Sequence, residues 1–201
     1  MACKPSQHPL VLASSSPSRA QALRQLGLFF ESVSPQVDEK PLAGETPDAL
    51  ARRLAALKAR AVADQFDDAV IIGSDQVGFC NGHLLHKPES ADAAVTQLYA
   101  ARGQAARFHT ALTVIDQHRK HTFHELVTTD LVFRDLSRAE VARYVEIDEP
   151  LNCAGGFKIE KLGIALFSAV SSNDPSALIG LPLIALVSIL AKCGINPLQN
   201  A

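Results

Sequence analysis

Apolar positions along the chain change their period several times, and each change predicts an element. Residues 10–13 are all apolar and read as a short buried strand. Ser14, Ser15, Ser16, Pro17 and Ser18 follow. Ser is favoured at a helix cap and Pro in the first turn, so the strand passes through a turn into a helix. Leu23 and Leu26 give that helix an apolar face, and Gly27 ends it. Residues 28–37 read as a second strand. Thr46 and Pro47 open a longer helix carrying Leu50, Leu54, Leu57, Ala61 and Val62 at helical spacing. The run AVIIG at 69–73 predicts a central strand, and Asn81-Gly82 a turn between Phe79 and Leu84. Residues 90–101 read as a helix capped by Ser90, and 108–115 with 122–133 as paired strands. Ser137 with Glu140 three residues on is a capping-box pattern for a helix over 137–145. Residues 183–192 read as the last helix, ended by Gly194.

Strands and helices alternate first, and a hairpin follows. This predicts an α/β fold with a mixed, twisted sheet and flanking helices. The change of pattern at mid-chain is where a second lobe would begin. The 201 residues, 47% hydrophobic and 20% charged, suffice for one domain over 1–201, with 1–9 as a flexible extension. A net charge of −2 disfavours a polyanion as partner, so no direct nucleic-acid contact is expected. Cys3, Cys80, Cys153 and Cys193 form no CxxC pair, which fits a reduced interior. The start of the chain lacks the apolar core of a signal peptide. The most apolar run, 178–190, is broken by Pro182 and too short to span a bilayer. A soluble, cytoplasmic chain with no membrane partner is expected.

Four constellations could carry chemistry. At residues 14–19, free backbone N–H groups at a helix start, serine hydroxyls and Arg19 could hold an anion. The plainer reading is a capped helix with a surface arginine. Asp75 follows an apolar strand, where open α/β sheets place ligands, and could hold Mg²⁺ or orient a water. It could equally be a turn aspartate bonded to its own backbone. Asp38 and Glu39 follow another strand and could complete an oxygen-rich metal site, or be solvated surface. Lys58 and Lys87 could join Arg19 in neutralising a triphosphate, though most lysines are surface charge.

Other features point to less. His118, His121 and His124 fall around a hairpin turn, and strand alternation sets His121 opposite the other two, against a zinc site. Cys153 lacks a sequence-local base and reads as a small buried cysteine. Ser74 is not in a G-x-S-x-G elbow, and no Walker A or G-x-G-x-x-G pattern occurs.

Taken in order, LVLASSSPSR, VDE, LARRLAALKA, VIIGSDQV, HKP, EPLNCAGGFKIE and IGLPL resemble the Maf family of nucleotide pyrophosphatases. Each motif is short, but seven in the right order cover nearly the whole chain. The resemblance implies a fold like that of the inosine-triphosphate pyrophosphatases, with two lobes around a cleft. It implies hydrolysis of a nucleoside triphosphate to the monophosphate and diphosphate, with Mg²⁺ or another divalent metal such as Mn²⁺, often in a homodimer. By position, Asp75 matches the family's catalytic aspartate, as proton acceptor, metal ligand or both. Asp38, or Glu39 with it, matches the metal-side acid. Arg19, Lys58 and Lys87 match the phosphate-contacting cations, and Ser14 and Ser16 the phosphate-cradling turn.

Departures from the family pattern bear on the base. Ser18-Arg19 stands where many members have two arginines, Gln76 where the dTTP/UTP branch has Thr, and Cys153 where that branch has lysine. Gln76, Cys153 and Glu160 resemble the branch that cleaves 7-methyl-GTP. Ser18, Gln76 and Glu160 are therefore the candidates for base selection. A carboxylate suits a guanine made cationic by N7 methylation. The rival readings are a dTTP/UTP pyrophosphatase, a non-catalytic nucleotide-binding regulator of cell division, and a thiol hydrolase using Cys153.

Overall fold

The computed structural model describes residues 8–151 and 153–200. Strand β1 (Leu10–Ala13) is buried at every position and runs into helix α1 (Pro17–Arg24). Strand β2 (Glu31–Val33) returns parallel to β1. The strand expected over 28–37 is thus three residues long, because β1 offers only a short edge and the β2 residues are mostly exposed. Helix α2 (Pro47–Ala63) then leads to the central strand β3 (Val70–Cys80). The Asn81-Gly82 turn joins β3 to β4 (His83–Leu85), with both residues at positive φ.

Helix α3 (Ala91–Ala101) has Ser90 as its N-cap, accepting from the Ala93 amide. Strands β5 (Ala105–Asp116) and β6 (His121–Phe133) form the expected hairpin. Helix α4 (Arg138–Asp148) opens on the expected capping box between Ser137 and Glu140. Two 3₁₀ turns, Ala154–Gly156 and Leu162–Leu166, lead to strand β7 (Phe167–Ser172). A third, Pro175–Ile179, precedes α5 (Leu183–Lys192) and the short α6 (Pro197–Asn200). Strand β7 and the 3₁₀ turns escape periodicity: the β7 interior is exposed, and the turns are too short to show a period.

The sheet order is β2-β1-β3-β5-β6-β7, with β4 on the far end of β3. Its β2-β1-β3 part is parallel and the remainder antiparallel, the mixed sheet that the sequence predicts. Around the parallel part, α1 and α5 cover one face and α2 the other. A separate apolar cluster gathers α3, α4 and the far ends of β5 and β6 around Phe108, Phe133, Phe157 and Phe167. The two groups of cores give the molecule two lobes on one sheet. Of the expected flexible extension, residues 1–7 lie outside the described residues. Pro9 is fixed, its carbonyl accepting from the Val70 amide at 2.9 Å. No helix among the described residues is long and apolar enough to cross a membrane.

One close approach sets the distance between α2 and the sheet. Gly73 on β3 faces α2, where a Cβ would lie 2.5 Å from the Ala55 carbonyl and 2.7 Å from the Ala59 amide. Helix α2 meets it with Ala51, Ala55 and Ala59, all fully buried. Neither backbone can yield without moving the helix. Gly73→Ala is expected to cost about 1–3 kcal/mol of stability through overpacking, read by urea denaturation.

Candidate active site

Strand β3 alternates between two environments, and the site is built from both. Ile71, Gly73, Asp75 and Val77 share the face toward α2; Ile72, Ser74 and Gln76 share the opposite face. The parallel partner β1 stops at the Ala13–Gly73 rung, while the antiparallel partner β5 continues to Cys80. Beyond that rung the chain leaves β1 through residues 14–16 into α1, opening space beside Asp75. Asp75 therefore lies within a strand and not in the turn after one, as the sequence had implied. The antiparallel ladder with β5, paired at Asp75–Ala111, carries the strand past it.

Lys58 lies on the sheet-facing stripe of α2 and is 3% exposed. Its Nζ donates to Asp75 Oδ1 at 2.6 Å and pairs with Glu39 Oε1 at 2.7 Å. Glu39 Oε2 in turn lies 3.5 Å from Lys87 Nζ. Asp75, Lys58, Glu39 and Lys87 thus form one alternating chain of charge across the cleft. A buried ammonium needs such partners, since burial without them is costly. Burial works to raise the Glu39 pKa. The Lys58 hydrogen bond and charge, with Lys87 beyond, outweigh it, so the carboxyl titrates below its ordinary value.

Asp38, the other candidate metal-side acid, stays out of this chain. It is exposed and accepts from the Lys40 amide at 3.0 Å, closing its own loop. Arg53 holds the far side of the loop, donating to both Glu45 oxygens at 2.6 and 2.7 Å and to the Lys40 carbonyl at 3.0 Å.

The turn after β1 is organised by its own serines. Ser14 is buried, and its Oγ accepts from the Ser16 amide at 3.1 Å. Ser16 caps α1, accepting from the Arg19 amide at 3.4 Å. Arg19, which lines the cleft, is held by its Nε donating to the Gly180 carbonyl at 2.9 Å. On the opposite face of β3, Gln76 Nε2 is surrounded by Thr110 Oγ1 and the Ala177 and Leu178 carbonyls, at 2.9 to 3.2 Å. These acceptors fix the amide orientation and turn Oε1 the other way. At the rim, Ser18 Oγ donates to Glu160 Oε1 at 3.0 Å, joining the start of α1 to the second lobe.

The structure thus brings Ser16, Ser18, Arg19, Glu39, Asp75, Gln76, Lys87 and Glu160 to one cleft of about 430 Å³. Ser14 and Lys58 line an adjoining recess that shares many of those residues. That volume falls within the range of small-molecule sites.

Several contributors were not singled out from the sequence, although Lys158 and Gly180 lie within the segments EPLNCAGGFKIE and IGLPL. Lys158 and Lys161 add positive charge to the recess. The turn Pro175–Ile179 and Gly180 supply the carbonyls that orient Gln76 and Arg19. Asp174 anchors that turn, accepting from the Ser176, Ile184 and Ala185 amides. The Asp-Pro-Ser sequence there is a capping signature that could have been found. Alternation does not govern His118, which lies in the hairpin turn and stacks on His8, while His124 within β6 pairs with Thr113 at 3.1 Å. Burial pushes the Cys153 thiol pKa up, away from a ready nucleophile.

Residues 9–193 match the family described as Maf-like protein. The chain belongs to the Maf family. Maf relatives named 7-methyl-GTP pyrophosphatase share much of its sequence. The protein from Xanthomonas oryzae pv. oryzae is 48% identical, over 93% of this chain and 97% of its own. The one from Idiomarina loihiensis is 44% identical, over 96% and 98%. The one from Polaromonas sp. is 45% identical, over 96% and 89%. Among solved structures, the Staphylococcus aureus Ham1 protein is similar at a TM-score of 0.45 and 17% identity, over 63% of this chain and 72% of its own. That likeness is too remote to carry weight. The motifs of this Maf chain fall on the cleft: the Ser-rich turn, the strand with Asp75 and Gln76, and the segment ending in Glu160 all line it.

The Lys58 pairs have a titration signature. A depressed carboxyl pKa adds stability above the unfolded value, and that stability is lost as pH falls through the folded one. In Lys58→Met the main opposing influence on Glu39 is gone and burial remains. Glu39 is then expected to titrate at higher pH than in the wild type, read by carboxyl carbon NMR. Unchanged titration would show that Lys58 does not hold it.

Proposed function

We propose that the chain hydrolyses 7-methyl-GTP to 7-methyl-GMP and diphosphate, working in the cytoplasm as a single-domain protein and a homodimer. The observation that carries the reading is the buried Asp75–Lys58 pair, extended by Glu39 and Lys87 along a cleft of nucleotide size. The names of the relatives supply the substrate.

Each side chain has a task in this reaction. Phosphates are anionic and repel an incoming water, so fixed cations must offset their charge. Arg19 and Lys87 take that role at the cleft wall, with the serine hydroxyls of residues 14–16 at the start of α1 as further donors. Lys58 holds Asp75 Oδ1, and Asp75 lines the cleft, so Oδ2 is the oxygen assigned to take the proton. Asp75 accepts the proton as the water oxygen bonds to the α-phosphorus and the α–β bridging bond breaks, releasing diphosphate.

A divalent metal fits the donors present. Asp75 and Glu39 offer carboxylate oxygens, which suit Mg²⁺ or Mn²⁺. Mg²⁺ is commonly held by one or two carboxylates together with substrate phosphates, so no complete protein cage is needed. Such an ion supplies further charge neutralisation at the phosphates.

Base selection is assigned to the rim. Ser18 occupies one oxygen of Glu160, and the other is open to a cationic 7-methylguanine or to its N1–H and amino group. Gln76 is held on its nitrogen side, so its oxygen is the atom that could read the base. Pyrophosphate release should be measured across 7-methyl-GTP, GTP, dTTP and UTP, with Mg²⁺ and with excess chelator. The reading expects metal-dependent release, fastest with 7-methyl-GTP. Fastest release with dTTP or UTP would overturn the substrate; no release from any would overturn the enzyme reading. In Glu160→Gln the preference for 7-methyl-GTP over GTP is expected to fall by about tenfold, the scale of one lost charged contact.

A further inference from the structure

A second group of metal-competent side chains lies at the opposite end of the sheet. Leu10, Val70 and Asp116 form one rung across β1, β3 and β5. His8 and Asp68 each precede that rung by two residues, and His118 follows it by two. The strands β1 and β3 are parallel and β5 antiparallel, so all three side chains emerge at the same edge. His8 Nδ1 lies 2.8 Å from Asp68 Oδ2, and His118 Nδ1 lies 3.4 Å from Asp68 Oδ1. The two imidazole rings stack with centroids 4.2 Å apart. One ligand atom from each residue falls within 4.8 Å of the others.

The scaffold beneath them is fixed. The Val70 amide donates to the Pro9 carbonyl at 2.9 Å, and the Gln117 amide to the Ala69 carbonyl at 3.1 Å. The Gln117 side chain accepts from the Ala69 amide and donates to the Ala63 and Phe66 carbonyls. Arg119 closes the hairpin turn on Asp116 through both its amide and its guanidinium. Three separate segments are thereby pinned to one rung before any ligand arrives, as a preorganised site requires.

We propose that His8, Asp68 and His118 form a site for a borderline transition-metal dication such as Zn²⁺, separate from the catalytic cleft. Bonds of about 2.0–2.2 Å to nitrogen and oxygen place ligand atoms roughly 3.0–3.5 Å apart, and the two histidine contacts to Asp68 are already 2.8 and 3.4 Å. Two imidazoles and one carboxylate favour Zn²⁺, Ni²⁺ or Cu²⁺ and disfavour Mg²⁺. The side chains of Asp68 and His118 are about half exposed, at 53% and 55%, so water can fill the remaining positions. Asp68 precedes Asp75 by seven residues of nearly extended chain, about 20 Å. The ion would clamp the entry of β1 to the sheet and raise stability without touching the chemistry.

The test uses the full-length, tag-free chain stripped with chelator. Zn²⁺ is titrated by calorimetry, and thermal unfolding is followed with and without it. Micromolar binding is expected, with a rise in Tm of roughly 5–10 °C at a hundredfold excess over Kd. Both should fall at least tenfold in affinity, or vanish, in His118→Ala and in Asp68→Asn, whose surface positions spare the core. Mg²⁺ should give no shift that depends on His118. Wild-type Zn²⁺ affinity and Tm shift in both variants, as ions on the cysteines would give, would overturn the proposal. So would the absence of micromolar binding in the wild type.

Discussion

A single ammonium group, that of Lys58, holds the site together. It is removed from water, and among the described residues two carboxylates compensate it: Asp75 on the central strand and Glu39 on a loop. Loss of both partners would leave an uncompensated buried charge, among the costliest defects in a folded chain. The same contact joins three parts of the molecule: α2, β3 and the loop after β2. Its position follows from packing. The small residues of α2 let the helix sit flush on Gly73, and one helical turn toward the C-terminus of Leu54 the stripe presents Lys58 beside Asp75.

That contact lies beside a gap only because of sheet topology. Strand β1 is four residues long and β3 eleven, so β3 outruns its parallel neighbour. The antiparallel hairpin keeps β3 straight beyond that point, and the chain released from β1 becomes the serine-lined turn. One face of the exposed stretch carries Asp75 and the other Gln76. The proposed reaction chemistry and base reading thus fall on opposite faces of consecutive residues. The turn at 175–180 serves the second face with carbonyls, and the Ser18–Glu160 bond connects the start of α1 to the far lobe.

Much of the fold was legible because its helices carry a 3.6-residue period and proper caps. The Ser90 cap, the Ser137–Glu140 capping box and the Asn81-Gly82 turn each act locally, and each has its expected role. Strand lengths were less legible, because they depend on partners. The apolar run at 69–73 marks only the apolar start of β3, although burial continues through Ser74 and Asp75. Its polar extension through Ser74, Asp75 and Gln76 is a strand because β5 pairs with it. Lys58 had a signal that went unused: it lies four residues after Leu54 and four before Val62, within the apolar stripe. Glu39 and Asp38 are neighbours in sequence with opposite fates, and only the loop conformation distinguishes them.

The central claim is that Asp75 serves the chemical step and not the holding of the nucleotide. Asp75→Asn is isosteric and leaves Lys58 its pair with Glu39, so the fold should persist. The decisive comparison sets 7-methyl-GTP affinity, measured by calorimetry, against single-turnover diphosphate release in this variant, both with Mg²⁺. The account predicts affinity within a few-fold of wild type and release slowed by about 10²–10⁴-fold. Release at the wild-type rate, or loss of binding and release in equal measure, would contradict it.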